Sequence, residues 1–119
     1  MKDFRQLKVW EKSHLLALAI YKATKDFPKE ELYALTSQMR RASMSIQTNI
    51  AEGYGRNTDA DFARLLQMAM GSASETEYEL ILARDLEFLS KEKYEKLHNR
   101  VEEVKHMLAS LLKTLRADR

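Results

Sequence analysis

A chain of 119 residues has room for one core and excludes a second domain, and 45% hydrophobic against 32% charged residues excludes a disordered composition. The absence of cysteine excludes disulfides and thiolate metal centres and fits a reducing compartment. A net charge of +2 and a pI of about 8.8 fall short of the clustered basicity, with pI above about 9, that marks most nucleic-acid-binding domains.

With only 3 Gly and 1 Pro, and with many Ala, Leu, Glu, Lys and Met, the chain favours helix throughout. The opening Met1-Lys2-Asp3-Phe4-Arg5 lacks a signal-peptide apolar core. The longest apolar run, Leu15 to Tyr21, is far below the ~20 residues of a membrane span. A cytoplasmic protein without membrane association is therefore expected.

The periodicity predicts an all-α fold, an antiparallel up-and-down four-helix bundle forming a single domain over residues 1–119. The first helix is expected at about 7–26, ending where Pro28 pushes Phe27 out of the helical region. The second is expected at about 29–54, opened by Pro28 with Glu30 and Glu31 and broken at Gly53-Tyr54-Gly55. Thr58, with Asp61 three residues later, is set to cap a third helix at 59–88. Ser90 is set to cap a fourth at 91–116.

The fourth helix has the sharpest apolar row: Tyr94, Leu97, Val101, Val104, Leu108, Leu111 and Leu115, in steps of three and four. The second repeats the spacing with Leu32, Leu35, Met39, Ala42, Ile46 and Ile50. Val9, Leu16, Ile20, Ala23 and Phe27 form the inner stripe of the first helix, and Phe62, Leu66, Ala69, Ala73, Leu80 and Ala83 that of the third. Behind these stripes lie Leu15 and Leu18 on the first helix and Met68, Tyr78 and Leu82 on the third. Two such second apolar faces point to a subunit interface and a homo-oligomer.

Polar residues offer fewer readings. Arg41, Ser45, Asn49 (with Thr48 beside it) and Glu52 run along one side of the second helix as a polar ladder, with Arg56 just after the glycine break. A structural network is the preferred reading, with a ligand or RNA site as the alternative. Arg40, Arg41, Arg56 and Arg64 are candidates for a basic patch that an oligomer would repeat. Glu95-x-x-His98 and Glu103-x-x-His106 match the spacing of diiron bundles, but both lie on one helix facing away from its apolar row, so no metal is expected. Gly71-Ser72-Ala73-Ser74 reads as a place where another backbone packs closely. No nucleophile–base pair and no phosphate-cradling loop occur, so the chain is expected to be no enzyme and to need no cofactor.

The runs Phe4-x-x-Leu7-x-Val9-Trp10, Phe27-Pro28-x-Glu30-Glu31, Leu35-Thr36-x-Gln38-x-Arg40-Arg41-Ala42, Ser45-Ile46-x-x-Asn49-Ile50-Ala51-Glu52-Gly53-Tyr54-Gly55-Arg56 and Phe62-x-x-Leu65-Leu66-x-x-Ala69-x-Gly71-Ser72 are a signature. Together they resemble the family of proteins encoded in intervening sequences of bacterial 23S rRNA genes, also labelled a ribosomal protein. The resemblance implies antiparallel four-helix bundles assembled as ring-shaped pentamers. It is shared with the accessory variability determinant of diversity-generating retroelements, a basic pentamer that binds nucleic acid and a reverse transcriptase. It further implies Arg40, Arg41, Arg56 and Arg64 as RNA contacts, with structured RNA or an RNA-processing protein as partner. The alternative is a protein-interaction scaffold with no nucleic-acid role, docking through the second apolar faces and the acidic residues Glu75, Glu77, Glu79, Asp85 and Glu87.

Overall fold

A computed structural model describes residues 2–117. Four α-helices carry the fold: α1 (Lys8–Thr24), α2 (Leu35–Tyr54), α3 (Asp59–Asp85) and α4 (Lys91–Ala117). At 1.5 Å per residue, α3 and α4, of 27 residues each, are about 40 Å long. They set the long dimension of a 46 × 22 × 20 Å rod. Each helix packs antiparallel on the next in sequence, and α4 closes the square against α1. No helix among the described residues is long and apolar enough to cross a membrane.

Caps define the helix starts. Thr58 is extended and its hydroxyl accepts the Asp61 N–H at 3.1 Å. The Ser90 hydroxyl accepts the Lys93 N–H at 3.1 Å. Each satisfies one of the amide donors that a helix leaves open at its start.

The second helix departs from expectation. Lys29–Glu31 form a single 3-10 turn, and Ala34 (φ −122°, ψ −108°) leaves the helical region, so α2 begins only at Leu35. Glu31 takes over as a cap, its carboxylate accepting the Leu35 N–H at 3.3 Å. Leu32, read as the first residue of the buried row, consequently lies outside α2 and is 45% exposed. The first helix stops at Thr24 rather than residue 26; its hydroxyl donates to the Ile20 carbonyl at 2.8 Å.

Helix α3 ends at Asp85, three residues early, in a left-handed stop. Glu87 has φ 65°, the Phe88 N–H donates to the Ala83 carbonyl and the Glu87 N–H to the Arg84 carbonyl, both at 2.9 Å. This is a Schellman arrangement with glutamate where glycine is usual. It turns Phe88 back onto Phe27, with ring centroids 5.5 Å apart.

Apart from Leu32, the core follows the expected stripes with one exchange. On α4, Leu112 rather than Leu111 is buried, because a straight helix at 3.6 residues per turn drifts off a strict seven-residue repeat. Gly53 marks a close α2–α3 approach: a Cβ there would lie 2.9 Å from both Leu65 Cβ and Phe62 Cδ1. Gly71, expected to receive a neighbouring backbone, has nothing within 4 Å of that position and faces outward.

Candidate functional site

On the α2–α3 side, the polar ladder divides into two units. The Asn49 amide donates to the Ser45 carbonyl at 2.9 Å and to its hydroxyl at 3.1 Å, and the Ser72 hydroxyl donates to Ser45 Oγ at 2.9 Å. This half-buried trio joins α2 to α3. Beyond it, Glu52 and Arg56 make an exposed i, i+4 ion pair at 2.7 Å. Arg41 is exposed and takes part in neither unit.

The four candidate arginines are not gathered in one place. Arg40 is half-buried at the α1–α2 seam, where its Nε donates to Thr24 Oγ1 at 2.9 Å and its guanidinium lies 5.0 Å from the Tyr21 ring centroid. Arg41 stands free near the start of α2, whereas Arg56 and Arg64 stand at the opposite end, near the α2–α3 turn. Eleven residues of helix from Arg41 to Glu52 span about 16 Å.

The apolar residues set aside for an interface are largely open. Leu15 is 40%, Leu18 54%, Met68 50% and Tyr78 60% exposed, while Leu82 is half-buried against the core. Tyr21 and Met44 are also exposed. Helices α2 and α3 also hold buried polar atoms without partners. Gln47 Oε1 and Thr36 Oγ1 on α2, and Glu79 Oε1 on α3, accept no hydrogen bond. Burial pushes the Glu79 carboxyl up to about 7, and the neighbouring Glu75 carboxylate adds to the rise.

Across the molecule, Glu77 of α3 meets His98 and Glu102 of α4, one ligand atom from each lying within 4.8 Å of the others. Lys105 donates to Glu77 at 2.9 Å, His98 Nε2 lies 3.9 Å from Glu102, and the His98 ring stacks on Tyr94. The adjacent Glu102 carboxyl, with Lys105, holds the Glu77 carboxyl below its usual range. A separate groove between α1 and α4 is lined by Lys22, Lys93, Lys96 and Arg100, with Asp26 at its end of α1.

Residues 5–110 match the 23S rRNA-intervening sequence protein family. The chain belongs to that family. It is similar to a Bacteroides thetaiotaomicron protein of unknown function from the S23 ribosomal protein family, solved at 1.70 Å. The two are 32% identical over 88% of this chain and 98% of that one, with a TM-score of 0.80. No curated protein matches the chain.

For this family member, sequence reading missed two groupings. Glu77 came into view only as part of an acidic stretch, because its partners lie more than twenty residues away on the next helix. The i, i+4 pair His98 and Glu102 was a readable signal, but Glu95-x-x-His98 drew attention to the wrong glutamate. The α1–α4 cations are separated by most of the chain and share no local spacing. Glu95 and His106 are exposed, and Glu103 pairs with Lys12 at 3.6 Å.

Proposed function

We propose that the protein is a non-catalytic, self-associating bundle that binds structured RNA, or an RNA-processing partner, through the arginine-bearing sides of α2 and α3. One observation carries the reading: Arg41 on α2, Arg56 in the α2–α3 turn and Arg64 on α3 are exposed, and the same two helices present open apolar side chains. Guanidinium groups suit bidentate phosphate contact. With the arginines spread along the rod, a single chain offers few simultaneous contacts. Copies that cover Leu15, Leu18, Met68, Tyr78 and Leu82 would multiply them, and linked weak contacts raise overall affinity. A ring of such copies, with a pentamer as the expected count, fits this requirement.

The test is a mobility-shift series with structured 23S rRNA fragments between about 50 and 200 mM salt. Binding should weaken steeply with salt, and Arg41→Ala or Arg64→Ala should each flatten the slope by about one phosphate contact. Absence of binding at the lowest salt rejects the RNA reading. Light scattering tests self-association separately: a monomer at high micromolar concentration removes the oligomer, and Leu18→Glu should shift an assembly toward monomer.

A second reading, a protein-interaction scaffold, is favoured by the exposure of Tyr78 and Met68 beside Glu75. A scaffold keeps its protein partner after nuclease treatment, whereas an RNA-bridged complex falls apart.

A further inference from the structure

We propose that Glu77, His98 and Glu102 form a binding site for a zinc-class divalent cation that ties α3 to α4. His98 and Glu102 are one helical turn apart on α4, the spacing at which two side chains reach a common point. Glu77 meets them from α3, so the three donors come from two helices rather than from one solvated face. Their ligand atoms lie within 4.8 Å of one another. Bonds of about 2.1 Å in a tetrahedral shell place donors about 3.4 Å apart. Small side-chain rotations close that difference, and a water molecule would supply the fourth ligand.

The chemistry of the donors selects the ion. One imidazole nitrogen with two carboxylate oxygens suits zinc, cobalt or nickel, whereas magnesium and calcium favour all-oxygen shells. The histidine is prepared for the role. Its ring is held by stacking on Tyr94 with centroids 5.6 Å apart, and its Nε2 faces the Glu102 carboxylate at 3.9 Å. Lys105 is the existing counter-charge, its ammonium 2.9 Å from Glu77. A divalent ion takes over that neutralising role, and Lys105, on a flexible stem, swings to solvent. Lys105 is therefore a competitor for the site. This prediction sets a cation site apart from an ordinary ion-pair network, which needs its lysine. The inference is independent of RNA binding.

The test is isothermal titration of the tag-free full chain with zinc chloride and with magnesium chloride at neutral pH. One zinc ion per chain is expected with Kd of about 10 μM or tighter, magnesium binding at least about 100-fold more weakly, and Tm rising by about 4 °C at saturating zinc. His98→Ala, Glu77→Gln and Glu102→Gln should each weaken zinc binding by about 10-fold or more. Lys105→Met should preserve or tighten it, and His106→Ala should leave it unchanged. Glu102 is exposed, so its variant remains readable if the His98 substitution disturbs folding. No zinc binding by the unaltered chain, unchanged binding in Glu102→Gln, or weakened binding in Lys105→Met overturns the site.

Discussion

The buried row of α4 is apolar throughout, Tyr94, Leu97, Val101, Val104, Leu108, Leu112 and Leu115, and its outer surface is dominated by Lys, Glu, Arg and His. Helix α2 is mixed in both directions: Thr36, Ser43 and Gln47 are buried with Ile46 and Ile50, while Met44 is half open to water. The contrast extends to their neighbours, since α1 and α3 carry the exposed Leu18 and Tyr78. A helix with a dry inner stripe and a charged outer face has completed its burial inside one chain. A helix with unpartnered polar atoms inside and apolar atoms outside carries features that both cost free energy in a lone chain. The difference makes α4 the drier of the two helices and leaves the open apolar side chains on the α1–α2–α3 side, the surface the proposed self-association would use.

The largest test of that contrast is Leu108→Ala. Leu108 is fully buried, and truncation leaves a cavity in a row with no polar relief, so a loss of about 3 kcal/mol is expected in urea unfolding. A loss below about 1 kcal/mol would remove α4 from its central role.

Glu79 supplies the next test. Its carboxyl, raised from 4.5 to about 7, binds a proton more readily in the folded chain than in the unfolded one. The contribution of Glu79 to stability is therefore greatest at low pH and falls as pH rises from about 4.5 through about 7, where the folded chain must ionise a buried group. Glu79→Gln should raise stability by about 2 kcal/mol near pH 8 and by very little near pH 4. A flat difference between the two proteins across that range breaks the argument.

Gln47→Met is a smaller and sharper probe. With Oε1 unpaired, removing the amide should raise the stability of the isolated chain by about 1 kcal/mol. A loss instead would mean that a neighbouring copy satisfies the amide, which light scattering on the same variant would register as weakened assembly.

The smallest effect concerns the turn between α3 and α4. Glu87 holds φ 65°, a conformation that glycine adopts without a Cβ clash. Glu87→Gly should gain about 0.5 kcal/mol in thermal unfolding, the relieved strain being partly offset by the greater freedom of the unfolded chain.

The four helices, their caps at Thr58 and Ser90, the inner row of α3 and that of α4 as far as Leu108 were legible in the sequence. Each depends on contacts within one turn or on a repeat that a helix converts directly into a face. The early end of α3 was not legible, because a glutamate at a left-handed position carries no local signature. Nor was the late start of α2, where the backbone at Ala34 rather than Pro28 sets the boundary. Arg40, Arg41 and Arg64 were correctly placed on helices and Arg56 just after the glycine break, yet nothing in their spacing told that Arg40 would turn to Thr24 and Tyr21 while Arg41, its immediate neighbour, would not.

What the sequence determined by itself was the helical bundle and the family, because periodicity and motif are written along one chain direction. What only the tertiary structure decided was the company each polar group keeps: Ser45 with Ser72, Arg40 with Thr24, Glu77 with His98 and Glu102. Those pairings depend on the register between helices, and register is set by how whole apolar faces interlock rather than by the residues that end up touching.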